Sequence, residues 1–191
     1  MKTIINLSFS VFYLSLLIFG FSYKSLISKE LPEMLIGEFD IKPGIHLVFE
    51  GAIKDSIEPQ KYFLKEKQTD IHIEVLANWN NDAPDGSPLG GFIPYLEIDA
   101  IITNQNTDES SKVFLTPHLN MSDNYHYAQN IKLPGKRNDI YQLVFNINAP
   151  ESGKIGLHYD WRQKVGNLIV ETKTFTFSNL DFSAIAKATR R

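Results

Sequence analysis

Cysteine is absent from this chain. Thiolate metal sites, disulfides and a lipid anchor carried on cysteine are therefore excluded. Methionine and histidine are scarce, three and five in 191 residues, so any soft or imidazole ligand must come from very few positions. Charge of one sign is also lacking: the net charge is -3 and the pI is near 5.9. No cluster of Lys and Arg interleaved with aromatics occurs in the body of the chain, which argues against nucleic acid as a partner. There is no glycine-rich phosphate loop and no conventional nucleophile motif, so the chain is not expected to be an enzyme. Histidines at the local H-x-x-x-H spacing of a strong metal signature are missing too. Internal repeats and low-complexity tracts are absent, and helical periodicity is almost so.

What the chain does have is a 43% hydrophobic content, enough to bury the core of one domain. Its N-terminus stands apart. After Lys2 no charge occurs until Lys24, and Val11 to Phe21 is nearly all apolar. That run has the length of a signal-peptide core and is short for a spanning helix, which needs about 20 apolar residues. Residues 1–23 are expected to be a signal peptide or membrane anchor, and either exports the rest. Residues 24–35 form a polar lead-in, 36–182 the folded domain and 183–191 a C-terminal tail with a short helix.

Seven segments in that domain are rich in β-branched and aromatic residues: 44–54, 69–79, 92–103, 112–118, 139–148, 153–161 and 168–178. Clusters such as NDAPDGSPLGG, NQNTDESS and LPGKRND separate them. Short strands at this spacing predict an all-β fold, an immunoglobulin-like antiparallel β-sandwich.

Strand periodicity bears on the histidines. In TDIHIEV, Ile71, Ile73 and Val75 share one face, while His72 and Glu74 share the other. An imidazole and a carboxylate two apart on a strand can share a metal ion, though an ordinary polar face gives the same pattern. His126 lies between Tyr125 and Tyr127 in NMSDNYHYAQNIKLPG, close behind Met121, and the tyrosines are expected to shield it. His158 precedes Asp160. His46, within a hydrophobic strand, is expected to be structural. On the residues alone, metal binding and incidental polar placement both stay open.

Read together, TDIHIEV, FIPYLEI after a Gly-rich loop, NYHYAQNIKLPG and GLHYD followed by VG resemble the periplasmic iron-transport protein family of copper-binding, FetP-like type. The resemblance runs from about Gly37 to Phe182. It implies an exported immunoglobulin-like homodimer in the periplasm that binds copper, with iron as a second candidate, and supports iron uptake beside an inner-membrane iron permease. Carried over motif by motif, the implied ligands are His72, Glu74, His126 and His158. A methionine is expected after Pro117, where this chain has His118. Either His118 takes its place or Met121 reaches in from the loop. The motif ahead of the first strand has Ile57 where the family carries methionine, and Leu157 stands where an arginine precedes the last histidine. Because histidine ligands must be deprotonated, affinity is expected to fall as pH drops through roughly 6.5. The competing readings are an exported partner-binding or adhesion sandwich with no metal role, and a mononuclear copper oxidoreductase.

Overall fold

The computed structural model describes residues 33–189. The expected signal peptide or anchor over 1–23, the lead-in up to residue 32 and the last two residues of the tail lie outside the described residues. Eight strands follow one another: β1 Met34–Ile41, β2 Ile45–Ala52, β3 Ile71–Trp79, β4 Glu97–Asn104, β5 Ser110–Leu119, β6 Tyr125–Ile131, β7 Ile140–Asn148 and β8 Lys173–Asp181. Two short α-helices, α1 Tyr159–Lys164 and α2 Ser183–Lys187, and two 3-10 turns, Gln60–Tyr62 and Glu66–Gln68, complete the described part. No helix among the described residues is long and apolar enough to cross a membrane.

Every strand pair is antiparallel, and the hydrogen-bonded order is β1-β2-β3-β6-β5-β4-β7-β8. Strand β5 is the pivot. Its first part, Ser110 to Leu115, pairs with β4, and its second, Thr116 to Leu119, pairs with β6. Pro117 sits just past the change of partner, where a residue without an N–H is tolerated. The two ends of the order meet through rings rather than a ladder: Phe39 of β1 and Phe175 of β8 have centroids 4.8 Å apart. The eight strands thus form a nearly closed, barrel-like sheet.

Alternation builds the core. In β7 every second residue is buried, and β2 alternates the same way until its last residues. The inward set includes Phe49, whose ring lies 4.9 Å from Phe145 and 5.0 Å from Phe175. Each such burial contributes about 1.5–3 kcal/mol. Gly37, beside a bulge in β1, lets a ring in: a Cβ there would stand 2.6 Å from Phe177 Cε1.

The structure corrects several sequence expectations. Eight strands replace seven. MLIGEFDI, placed in the lead-in up to residue 35, is β1, and NYHYAQNI, outside the seven expected segments, supplies β6. Segment 153–161 is no strand: Gly153 takes φ 91°, Ile155 and Leu157 are only half-buried, and the chain enters α1 at Tyr159. FIPYL leads into β4 through Pro94 and makes only an isolated bridge, Phe92 to Asn78, before Glu97. The final strand begins at Lys173, five residues later than expected. The tail helix is present as α2 and buries Ile185 and Ala186.

Candidate metal centre

In β3 the alternation fails. Residues 71 to 75 are all buried, although His72 and Glu74 point away from the isoleucine face. The cause is the connection from β2 to β3, residues 53–70, which folds back over that outer face. Asn130 of β6, opposite His72 in the ladder, ties the cover down: its side-chain amide donates to Asp55 O at 2.8 Å and Leu64 O at 3.1 Å. Those two bonds aim Asn130 Oδ1 at His72 Nδ1, 2.9 Å away. An acceptor there requires the proton on Nδ1, which makes Nε2 the lone-pair nitrogen. Nε2 lies 3.6 Å from Glu74 Oε1.

The second half of the site comes from the hairpin β5–β6. Its turn is made by Asn120 to Asn124: Asn120 Oδ1 accepts from Asp123 N at 2.6 Å, and Asn124 takes φ 61°, a conformation Asn tolerates. The turn sets the register so that His118 and His126 oppose each other directly. Alternation then turns His126, Ala128 and Asn130 to the same face as Glu74 and His72, with Ala128 opposite both Glu74 and Thr116. Ala128 at that crossing is itself fully buried.

One ligand atom each from His72, His118 and His126 lies within 4.8 Å of the others. A second grouping at the same spacing joins Glu74, Asp123 and His126. Ring centroids are 5.3 Å apart for His72 and His118, and 5.9 Å for His118 and His126. Phe63, from the covering segment, meets His118 edge-on at 5.1 Å, and Thr116 Oγ1 lies 3.2 Å from His118 Nε2. His72, Glu74, His118, His126 and Phe63 line a cavity of about 490 Å³.

Burial disfavours the charged form of His118 and His126. Burial holds the His118 pKa down at about 4, with the neighbouring His126 adding to the shift. Burial also lowers His126, against opposing pulls from the Asp123 carboxylate and the Asn124 backbone. His126 is 1% exposed, and its Nδ1 is buried with no hydrogen-bond partner. A buried polar nitrogen left so costs about 1–3 kcal/mol. A copper ion fits this donor set: neutral imidazoles beside a carboxylate suit first-row divalent metals, copper most tightly.

His158 and Met121 stand elsewhere. His158 is exposed at the start of α1 and lines a different cavity, of about 360 Å³, with Trp79, Tyr95 and Trp161. Trp79 ends the strand on which His72 is the second residue, a separation of roughly 23 Å at the strand rise. Met121, at the hairpin tip, is fully exposed at 102%. Nor do the tyrosines shield His126. Tyr127 lies buried on the opposite face, donating to Ile93 O at 2.7 Å, and Tyr125 is half-exposed and stacked on Phe92. His46 is bonded to Asp40 across β1–β2 at 2.9 Å, outside the site.

Sequence reading missed Asn130, Phe63 and Asp123. Only Asn130 carried a signal, its place four residues after His126 on what proves to be the same strand face.

The model of the Fe2+ transport protein family matches residues 30–184. The 34 kDa membrane antigen of Treponema pallidum (strain Nichols) is 31% identical over 96 residues, half of this chain and 46% of that protein, so the chain spans about half the length of this relative. A UPF0423 protein of Brucella abortus (strain 2308) is 26% identical over 144 residues, covering 73% of this chain and 75% of its own. Among solved structures, the copper-reconstituted P19 protein from Campylobacter jejuni superimposes with a TM-score of 0.65 at 28% identity, over 77% of this chain and 94% of that one. As-isolated FetP from uropathogenic E. coli strain F11, expressed in the periplasm, gives 0.63 at 25% identity, over 77% and 95%.

Proposed function

Because this chain belongs to the Fe2+ transport protein family, we propose that it is an exported, periplasmic copper-binding protein that supports iron uptake together with an inner-membrane iron permease. The observation that carries the reading is the convergence of one ligand atom each from His72, His118 and His126 within 4.8 Å; His126 Nδ1 is also buried without a hydrogen-bond partner. Glu74 supplies the carboxylate. His118 stands in for the family methionine after Pro117, which makes the donor set harder and favours Cu(II) relative to a thioether-containing site. Iron is the transported ion in this reading, and Asp123 with Glu74 and His126 offers it an oxygen-rich position beside copper.

An immunoglobulin-like sandwich that pairs as a homodimer is part of the same proposal. His158 joins the copper ligands only if a second copy of the chain presents it, since within one chain it lines the cavity beside Trp79.

Copper titration of point variants tests the reading. His126→Ala should lower copper affinity at least roughly a hundredfold while the fold persists, and His118→Ala should weaken Cu(II) markedly. Met121→Leu should leave both oxidation states unchanged. Undiminished copper binding in a His72, His118, His126 triple alanine variant would place copper elsewhere and overturn the assignment of this site.

A further inference from the structure

A groove outside the metal centre follows from the change of partner in β5. Residues Ser110 to Leu115 pair only with β4, while Gln129 to Ile131 of β6 pair only with β3. The two strands therefore splay apart, and each presents an edge on which no strand lies among the described residues. A single side chain bridges the opening. Gln129 Nε2 donates to Phe114 O at 3.4 Å, and Gln129 Oε1 accepts from Asn130 N at 3.0 Å. One amide thus occupies both edges as a backbone peptide group would. Alternation along β5 puts the N–H and C=O of Ser110 and Lys112 on the same side as Phe114 O.

The opening continues into a groove of about 990 Å³. Its walls are apolar and uncovered: Phe114 is 66% and Tyr62 67% exposed, with Leu64 beside them. Its charged side chains are Lys61, Lys112 and Lys132, with no acidic residue among the lining groups, in a chain whose net charge is negative. Lys112 is held by Asp99 at 3.1 Å, and Lys61 lies over the Tyr62 ring at 4.7 Å.

We propose that this groove docks an extended, acidic segment of a partner protein, which pairs as an added strand with the edge Ser110 to Phe114. Its main chain replaces the Gln129 amide, its alternate apolar side chains cover Phe114 and Tyr62, and its carboxylates meet Lys61 and Lys132. Strand addition of this kind takes its affinity from main-chain bonds and its selectivity from alternate side chains. Lysines around an exposed edge also discourage pairing with unselected strands, so an acidic strand is the one the edge accepts. The proposal is independent of the metal reading, although Pro59, Phe63 and Pro117 wall both the groove and the metal cavity.

The test is fluorescence anisotropy with the full chain in neutral detergent and a short labelled peptide alternating Asp or Glu with Val, Leu and Tyr. Binding is expected, and the Lys61→Glu, Lys132→Glu double variant should weaken it at least roughly tenfold, because the rim charges are reversed. Lys187→Glu, on α2 and outside the groove, should not change it. Methylating alternate peptide nitrogens should abolish binding, since main-chain donors are lost. All three lysines are exposed, so near-UV circular dichroism should be unchanged in the variants. No peptide binding, equal binding by the double variant, or equal binding by the methylated peptide overturns the proposal. So does a peptide with Lys in place of Asp and Glu that binds as well, or inorganic polyphosphate that competes as well as the acidic peptide, which would mark a general anion patch.

Discussion

Asn130 is the residue on which the metal centre turns, although it offers no ligand itself. It receives the His72 Nδ1 proton while its amide holds Asp55 and Leu64 of the covering segment. Partners that orient a ligating histidine typically contribute 10–100-fold in metal affinity. Asn130→Ala should weaken copper by about that factor, with His72, His118 and His126 all still present; competition against a chelator of known affinity measures it. Titration gives a second expectation at this scale. His118 has a folded pKa of about 4 against 6.5 for the ordinary imidazole. The unfolded chain therefore binds a proton that the folded chain refuses. Stability from this group is complete above pH 6.5 and is lost as pH falls from there toward 4. At His118 copper competes with protons only near the lower value, so this ligand's contribution should persist below pH 6, in contrast to the loss through 6.5 expected of unperturbed histidines. Melting temperature and copper affinity followed from pH 7 to 4 check both signs.

At the scale of elements, the legible and the illegible parts of the site separate by physical cause. His72 and Glu74 could be read from TDIHIEV because a strand's period of two is written in its own residues. The opposition of His118 and His126 depends on hairpin register, set by the Asn120–Asp123 turn. With residues 125–131 outside the seven expected strands, that register was invisible. Segment 153–161 misled for the converse reason: its Ile, Leu and Trp have strand composition, while Gly153 and Gly156 release the backbone from pairing. Ala128 shows the elements working together, since β3, β5 and β6 all pack around its small side chain. Ala128→Leu would crowd Glu74 and Thr116, which Ala128 faces across the two ladders. It should cost about 1–3 kcal/mol in urea unfolding, as overpacking does, and reduce copper binding more than its stability loss explains. Phe49→Ala, on the opposite face of the sheet, should cost about 3–5 kcal/mol yet leave copper affinity nearly intact in the folded fraction.

For the whole molecule, the nearly closed sheet explains why so few titratable groups suffice. Core burial by Phe49, Phe145, Phe175 and their neighbours holds the strands independently of metal, so the centre is preorganised on the outer face rather than created by binding. An all-β chain with an apolar N-terminus was legible from composition and periodicity; the near closure was not, because it depends on ring contacts between the first and last strands. The family's link to iron transport gives the physiological expectation. Deleting the gene should slow growth when iron is scarce and added iron should restore it, whereas the His126→Ala protein should fail to complement; growth curves under chelation decide this.

The central claim is that copper sits among His72, His118 and His126 beside Glu74. Anomalous scattering at the copper edge, from crystals of the copper-loaded protein, tests it most directly. A single strong peak within bonding distance of those three imidazoles is predicted. A peak at His158 or Met121 with none among the three histidines would contradict it.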